Sequence, residues 1–157
     1  MPVVLTRIDD KLIHGQITEG WTRSLKADYI VVVSDDVSRS EWEKELCLAA
    51  LPPHIEGTVV SIGESPEIIN RLADDPRNSY VLFESPHDAI SAVEKGARIG
   101  EINVGGMHSS KNKREILDYI FVDDDDVRAL KALHDAGVRL DFRDLPKNEN
   151  VDVISLL

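Results

Sequence analysis

The sequence predicts an α/β domain built on a mainly parallel sheet with helices on both faces. Three observations carry this. Short apolar runs with strand character recur along the chain. They are nearly continuous rather than alternating, as strands covered on both faces require. Segments of helical period separate them, and that strand, helix, strand rhythm is the signature of a doubly wound sheet.

Taken in order, VVLT (residues 3–6) reads as the first strand. A helical stripe of Ile13, Ile17, Trp21 and Leu25 follows, with Gln16, Glu19, Arg23 and Lys26 toward water. YIVVVS (29–34), TVVSI (58–62), YVLFE (80–84) and INV (102–104) supply further strands. WEKELCLAA (42–50) reads as a helix in which Cys47, with Trp42, Leu46 and Ala50 around it, is a small buried hydrophobe. Ser85-Pro86 opens a helix that closes at Gly96, and the acidic residues 123–126 open another that closes at Gly137; a short strand follows each. The two units look alike, but an α/β domain needs no repeat to explain that. With no linker in view, residues 1–157 are expected to form one domain.

A chain of 157 residues can bury roughly two thirds of its unfolded surface without staples. Cys47 is its only cysteine, so no disulfide framework is expected, and with no signal-like opening the reducing cytoplasm is the expected compartment. No apolar run approaches the roughly 20 residues that cross a bilayer, so direct membrane insertion is not expected. A formal charge of −11 argues against nucleic acid as a partner, because each phosphate contact would work against the long-range field. Any anion site must be local. The chain carries no Walker lysine motif, GxGxxG, HExxH or CxxC, so neither a cofactor nor a metal is expected. Asp123 to Asp126 lack the glycine and distal glutamate of a calcium loop. His54, His87 and His134 read as solvent-facing or capping residues, whereas His108 stands apart because it sits in a glycine loop.

Doubly wound sheets bind ligands outside the carboxyl ends of their strands. RIDDKLIHGQ (7–16) lies at such an end, and so does NVGGMHSS (103–110). At a helix start, His14 meets backbone N–H groups without intrahelical partners and the positive end of the helix dipole. That setting suits an anion and favours the neutral imidazole, which can attack a phosphoryl group and carry it covalently. Arg7 and Lys11 supply cations, Gly15 lets the backbone come close, and Gln16 completes the candidate phosphate-binding set. Asp9 and Asp10 either orient the imidazole or Lys11, or serve only as caps. On the plainer reading, Arg7 and Asp9 are a surface ion pair worth about 0 to 1 kcal/mol. Lys111, Lys113 and Arg114 either guide an acidic partner or form a solvated loop.

RIDDKLIHGQITEGW, then VVVSDDV (31–37), NVGGM (103–107) and GVRLDFRDLP before VDVISLL resemble, over the whole chain, the IIB subunits of the mannose/fructose/sorbose family of the phosphotransferase system. The resemblance implies a phosphocarrier. Its histidine, by position His14, takes a phosphoryl group on Nδ1 from a phosphohistidine of a IIA protein and passes it to a sugar held by the membrane subunits IIC and IID. It also implies a sheet of about seven strands, with the first strand between the fourth and fifth, which would bring Ser85, Gly105, Gly106, Met107 and Ser109 beside His14. The family usually has arginine where Lys11 stands, and lysine keeps the charge without the planar fork. A rival reading is a regulatory phosphohistidine protein of an incomplete phosphotransferase system that moves no sugar, and a third is a small-molecule binding module with no covalent step. The sequence names no sugar and leaves a homodimer open.

Overall fold

The computed structural model describes residues 3–13, 20–21, 25–143, 146, 148, 154 and 157. His14, Gly15, Gln16 and Ile17 lie outside the described residues. The elements run β1 (Val3–Asp9), β2 (Tyr29–Val33), α1 (Asp35–Ser38), α2 (Glu41–Ala49), β3 (Glu56–Val60), α3 (Ser65–Leu72), β4 (Ser79–Phe83), α4 (Pro86–Glu94), β5 (Glu101–Gly106), β6 (Arg114–Leu117), β7 (Ile120–Val122), α5 (Asp124–Asp135) and β8 (Arg139–Phe142).

Among the described residues six strands form one sheet in the order β3-β2-β4-β1-β5-β8, every neighbouring pair parallel. β6 and β7 form a separate antiparallel hairpin, so the expected seven-stranded sheet is resolved into six strands and a two-stranded pair. The hairpin closes on Asp118 and Tyr119, with Leu117 opposite Ile120. Two antiparallel strands can be joined by so short a turn, whereas a parallel addition to the main sheet would need a long crossover. A single parallel bridge between Met107 and Ile120 ties the hairpin to the end of β5.

The strands read as continuous apolar runs because the sheet is covered twice. On one face Ile8, Val31, Val33, Val81, Phe83, Ile102 and Val104 pack with Ile69 and Leu72 of α3, Ala89 and Ala92 of α4, and Leu130 and Leu133 of α5. On the other, Ile30, Val32, Tyr80 and Leu82 meet Leu12, Ile13, Trp21 and Ala27, with Cys47, Leu48 and Leu51 packed against them. Local signals start the helices: Ser85 accepts the Asp88 N–H ahead of Pro86, and Asp123 and Asp126 close a capping box on α5.

One helix departs from expectation. α2 buries none of its residues, Cys47 is only partly buried, and Trp42 and Leu46 are 71% and 60% exposed. Trp42 and Leu46 are four residues apart and so share one face, and the helix meets the sheet instead through Cys47 and Leu48 on another. Among the described residues no helix is long and apolar enough to cross a membrane.

Candidate active site

β1 ends between the ends of its neighbours: Ile8 stands opposite Phe83 of β4 and Val104 of β5, and Asp9 opposite Gly106. The chain then turns sharply. The Asp10 N–H donates to the Gly106 carbonyl (3.1 Å), the Leu12 N–H to the Asp9 carbonyl (3.0 Å), and the Lys11 N–H to Asp9 Oδ1 (3.0 Å). Leu12 has φ 56°, a left-handed conformation that a branched residue adopts only where surrounding contacts impose it. Its side chain is buried, as is that of Ile13, while Lys11 is exposed. The loop thus holds a strained turn immediately ahead of His14.

Beneath the loop lies Arg7. The surface ion-pair reading does not hold, because the pair is real but wholly inside: Arg7 is 0% and Asp9 1% exposed. The guanidinium donates through Nε and Nη2 to Asp9 Oδ2 (3.2 and 3.1 Å) and through Nη1 to Asn103 Oδ1 (2.5 Å), and it lies 5.4 Å from the Trp21 ring centroid. Asn103 Nδ2 donates in turn to Asp141 Oδ2 (3.1 Å) and the Arg143 carbonyl (3.0 Å), and Arg143 Nε donates to Asp141 (2.8 Å). This buried network explains the glycine pair. A Cβ on Gly105 would stand 1.8 Å from Arg7 Cζ, and one on Gly106 would stand 3.1 Å from Asp9 Oδ1. The glycines clear space for Arg7 and Asp9.

Asp10 is bound across the gap to the glycine loop: its Oδ2 accepts the His108 N–H (2.7 Å), and its Oδ1 is hydrogen-bonded to His108 Nδ1. Met107 is buried and anchors that loop, donating its N–H to the Tyr119 carbonyl (2.9 Å) and accepting from the Phe121 N–H (2.7 Å). Ser109 is exposed. Beyond β4, Ser85 acts as a helix cap, and Glu84 accepts the Ser34 hydroxyl (2.8 Å). Burial, together with the charges of Glu84 and Asp35, pushes Asp88 up to about 6. Burial also raises the Cys47 thiol, partly offset by a hydrogen bond with the Ile13 backbone. That bond places Cys47 against the loop that precedes His14, which its helical setting did not suggest.

Of the basic group, Lys113 reaches Asp126 (3.0 Å) and Arg114 reaches Asp124 (3.8 Å), while Lys111 is exposed. His87 is half-exposed but also pairs with Asp126 (3.0 Å). Asn103, Asp141, Arg143 and the bond of Asp10 to His108 were not foreseen. Their one trace in the sequence is polar residues interrupting apolar strands, and their partners are far apart along the chain.

Fold and site define an α/β protein whose candidate chemistry occupies the loop after its first strand, at the carboxyl edge of a parallel sheet. A family model described as "PTS system sorbose subfamily IIB component" matches residues 3–157. The fructose-specific EIIB component of Bacillus subtilis (strain 168) is 36% identical over 157 residues, covering 100% of this chain and 96% of the relative. The mannose-specific EIIAB component of Escherichia coli (strain K12) is 34% identical over 99% of this chain, which spans 49% of that longer protein. The crystal structure of the IIBSor domain of the sorbose permease from Klebsiella pneumoniae superposes with a TM-score of 0.89 at 32% identity, covering 99% of this chain and 95% of the other. The chain belongs to the sorbose-subfamily IIB components of the phosphotransferase system, whose work is phosphoryl transfer in sugar uptake.

Proposed function

We propose that the protein is a cytoplasmic phosphocarrier in which His14 accepts a phosphoryl group from a phospho-IIA protein and passes it to a sugar held by membrane IIC and IID subunits. The observation that carries this reading is the turn at residues 9–12, fixed by Asp9 and by the left-handed Leu12 at the carboxyl edge of the sheet. A rigid lead-in of that kind pre-positions the residue that follows it, and phosphoryl transfer depends on position and charge stabilisation more than on covalent participation by other groups. Lys11, exposed on the turn, together with Gly15, Gln16 and the N–H groups around them, supplies the stabilising charge and donors. Arg7 contributes from below by holding Asp9, so its role is to shape the turn.

In the forward step the His14 Nδ1 lone pair attacks phosphorus, the bond from phosphorus to the donor imidazole breaks, and its electron pair returns to that ring. In the second step a sugar hydroxyl attacks phosphorus and loses its proton to a base, the bond from phosphorus to His14 Nδ1 breaks, and its electron pair returns to the imidazole. Incubation with phosphoenolpyruvate and the upstream phosphotransfer proteins should place one acid-labile phosphoryl group on His14. His14→Ala should fold normally and take none. Label persisting on that variant would sink the assignment.

A further inference from the structure

Asp10 is the acidic residue closest in sequence to the turn's exposed Lys11, yet its carboxylate is committed elsewhere. Both oxygens face His108: Oδ2 accepts the backbone N–H at 2.7 Å and Oδ1 meets ring Nδ1. The Asp10 N–H donates to the carbonyl of Gly106, the last residue of β5. Three bonds therefore join one residue of the β1 loop to the strand end of β5. Because a carboxylate only accepts, His108 Nδ1 must carry the proton. Nε2 is then the ring's free edge, and the ring is 47% exposed.

We infer that His108 is a positioning residue for phosphoryl acceptance: it latches Asp10 onto the glycine loop and turns that carboxylate toward two N–H donors rather than toward an incoming phosphoryl dianion. An untethered carboxylate four residues before the acceptor would be free to turn toward the incoming group and repel it, and the repulsion would grow as docking excludes water and lowers the local dielectric. With the carboxylate bound to an N–H and an imidazole N–H, the same residue becomes an anchor. The inference rests on His14 being the acceptor.

The test measures transfer from a phospho-IIA donor to the full chain in four proteins: wild type, His108→Ala, His108→Asn and Asp10→Asn/His108→Ala. His108→Ala should slow transfer about ten-fold, and His108→Asn, which keeps a side-chain N–H, should recover most of the loss. The double variant should be faster than His108→Ala, because the stranded charge has gone with its partner. A merely structural contact predicts the reverse order, with the double variant at least as slow. In ¹⁵N spectra the wild-type His108 ring should show a protonated Nδ1 whose signal shifts in Asp10→Asn. Wild-type rates in His108→Ala, or a double variant no faster than His108→Ala, would overturn the inference. A wild-type protein that takes no label on His14 would instead overturn the proposed function.

Discussion

Replacing Gly105 by alanine tests the buried network with a single methyl group. The added Cβ would lie 1.8 Å from Arg7 Cζ and 2.1 Å from both terminal nitrogens, so something must move. Normally the end of a long side chain yields cheaply. Here the guanidinium is fully buried and bonded to Asp9 and Asn103, so it can leave only by stripping a buried carboxylate of its cation. Breaking a buried pair from one side costs about 3–5 kcal/mol, whereas shifting the strand to relieve an overpacked methyl costs about 1–3 kcal/mol. The cheaper route bounds the result, so the expected loss is about 1–3 kcal/mol. Urea unfolding should show this as a midpoint lowered by about 0.5–1.5 M at unchanged slope. Gly100→Ala is the control: nothing lies within 4 Å of its Cβ, and stability should change by less than about 1 kcal/mol. If Gly105→Ala unfolds within about 0.5 kcal/mol of wild type, Arg7 is free to swing aside and does not hold Asp9 as described.

Three further outcomes are expected. Lys11→Arg should keep or raise the rate of transfer to His14 and Lys11→Ala should lower it about ten-fold, from the loss of one charge-assisted contact; equal rates in steady transfer assays would show that Lys11 points away from the phosphate. Asp88, held at about 6 against an ordinary 3.8, binds its proton more tightly folded than unfolded, so its contribution to stability is present at low pH and is lost as pH rises from about 4 through 6. Thermal melts should therefore place Asp88→Asn above wild type at neutral pH, with the gap narrowing in acid; a gap independent of pH would refute the cause given. Transfer from the IIA donor should change by only about two- to three-fold between low and physiological ionic strength, because salt screens both the repulsion from the −11 surface and the local attraction at Lys11. A steep fall with salt would show that long-range attraction governs docking.

The strands were legible because burial on both faces leaves no room for alternation, and VVLT, YIVVVS and YVLFE carry that pattern openly. Helix starts were legible at Ser85-Pro86 and at Asp123, where the capping side chain is itself the signal. The orientation of α2 was not. WEKELCLAA offers more than one apolar face, and only the sheet decides that Cys47 and Leu48 go inward while Trp42 and Leu46 face water. The β6–β7 hairpin was missed because REILDYIFV lacks the asparagine-glycine or aspartate-glycine turn that announces such pairs. The motif RIDDKLIHGQ marked the end of β1 as the candidate site, but the Arg7 network was not legible. Its bonds join residues 7, 103 and 141, and no local spacing records which polar groups a parallel sheet brings side by side. The glycine pair was seen without its reason, since that reason is the volume of a guanidinium on another strand.

An acidic protein that handles a phosphoryl dianion faces an electrostatic conflict, and the carboxyl edge of this sheet shows how it is managed. Asp9 is bound by Arg7 and by the Lys11 N–H; Asp10 by His108; Glu84 by the Ser34 hydroxyl; and Asp35 Oδ1 accepts the Ile62 N–H at 2.8 Å. Asp88 answers the crowding by holding its proton more tightly. Five carboxyl groups at this edge thus face hydrogen-bond donors or hold a proton more tightly, while Lys11 remains exposed on the turn. The net charge of −11 is therefore a poor guide to the field at the site. Local bonding, more than the count of acidic residues, sets the potential that a phosphoryl group meets within a Debye length of about 8–10 Å.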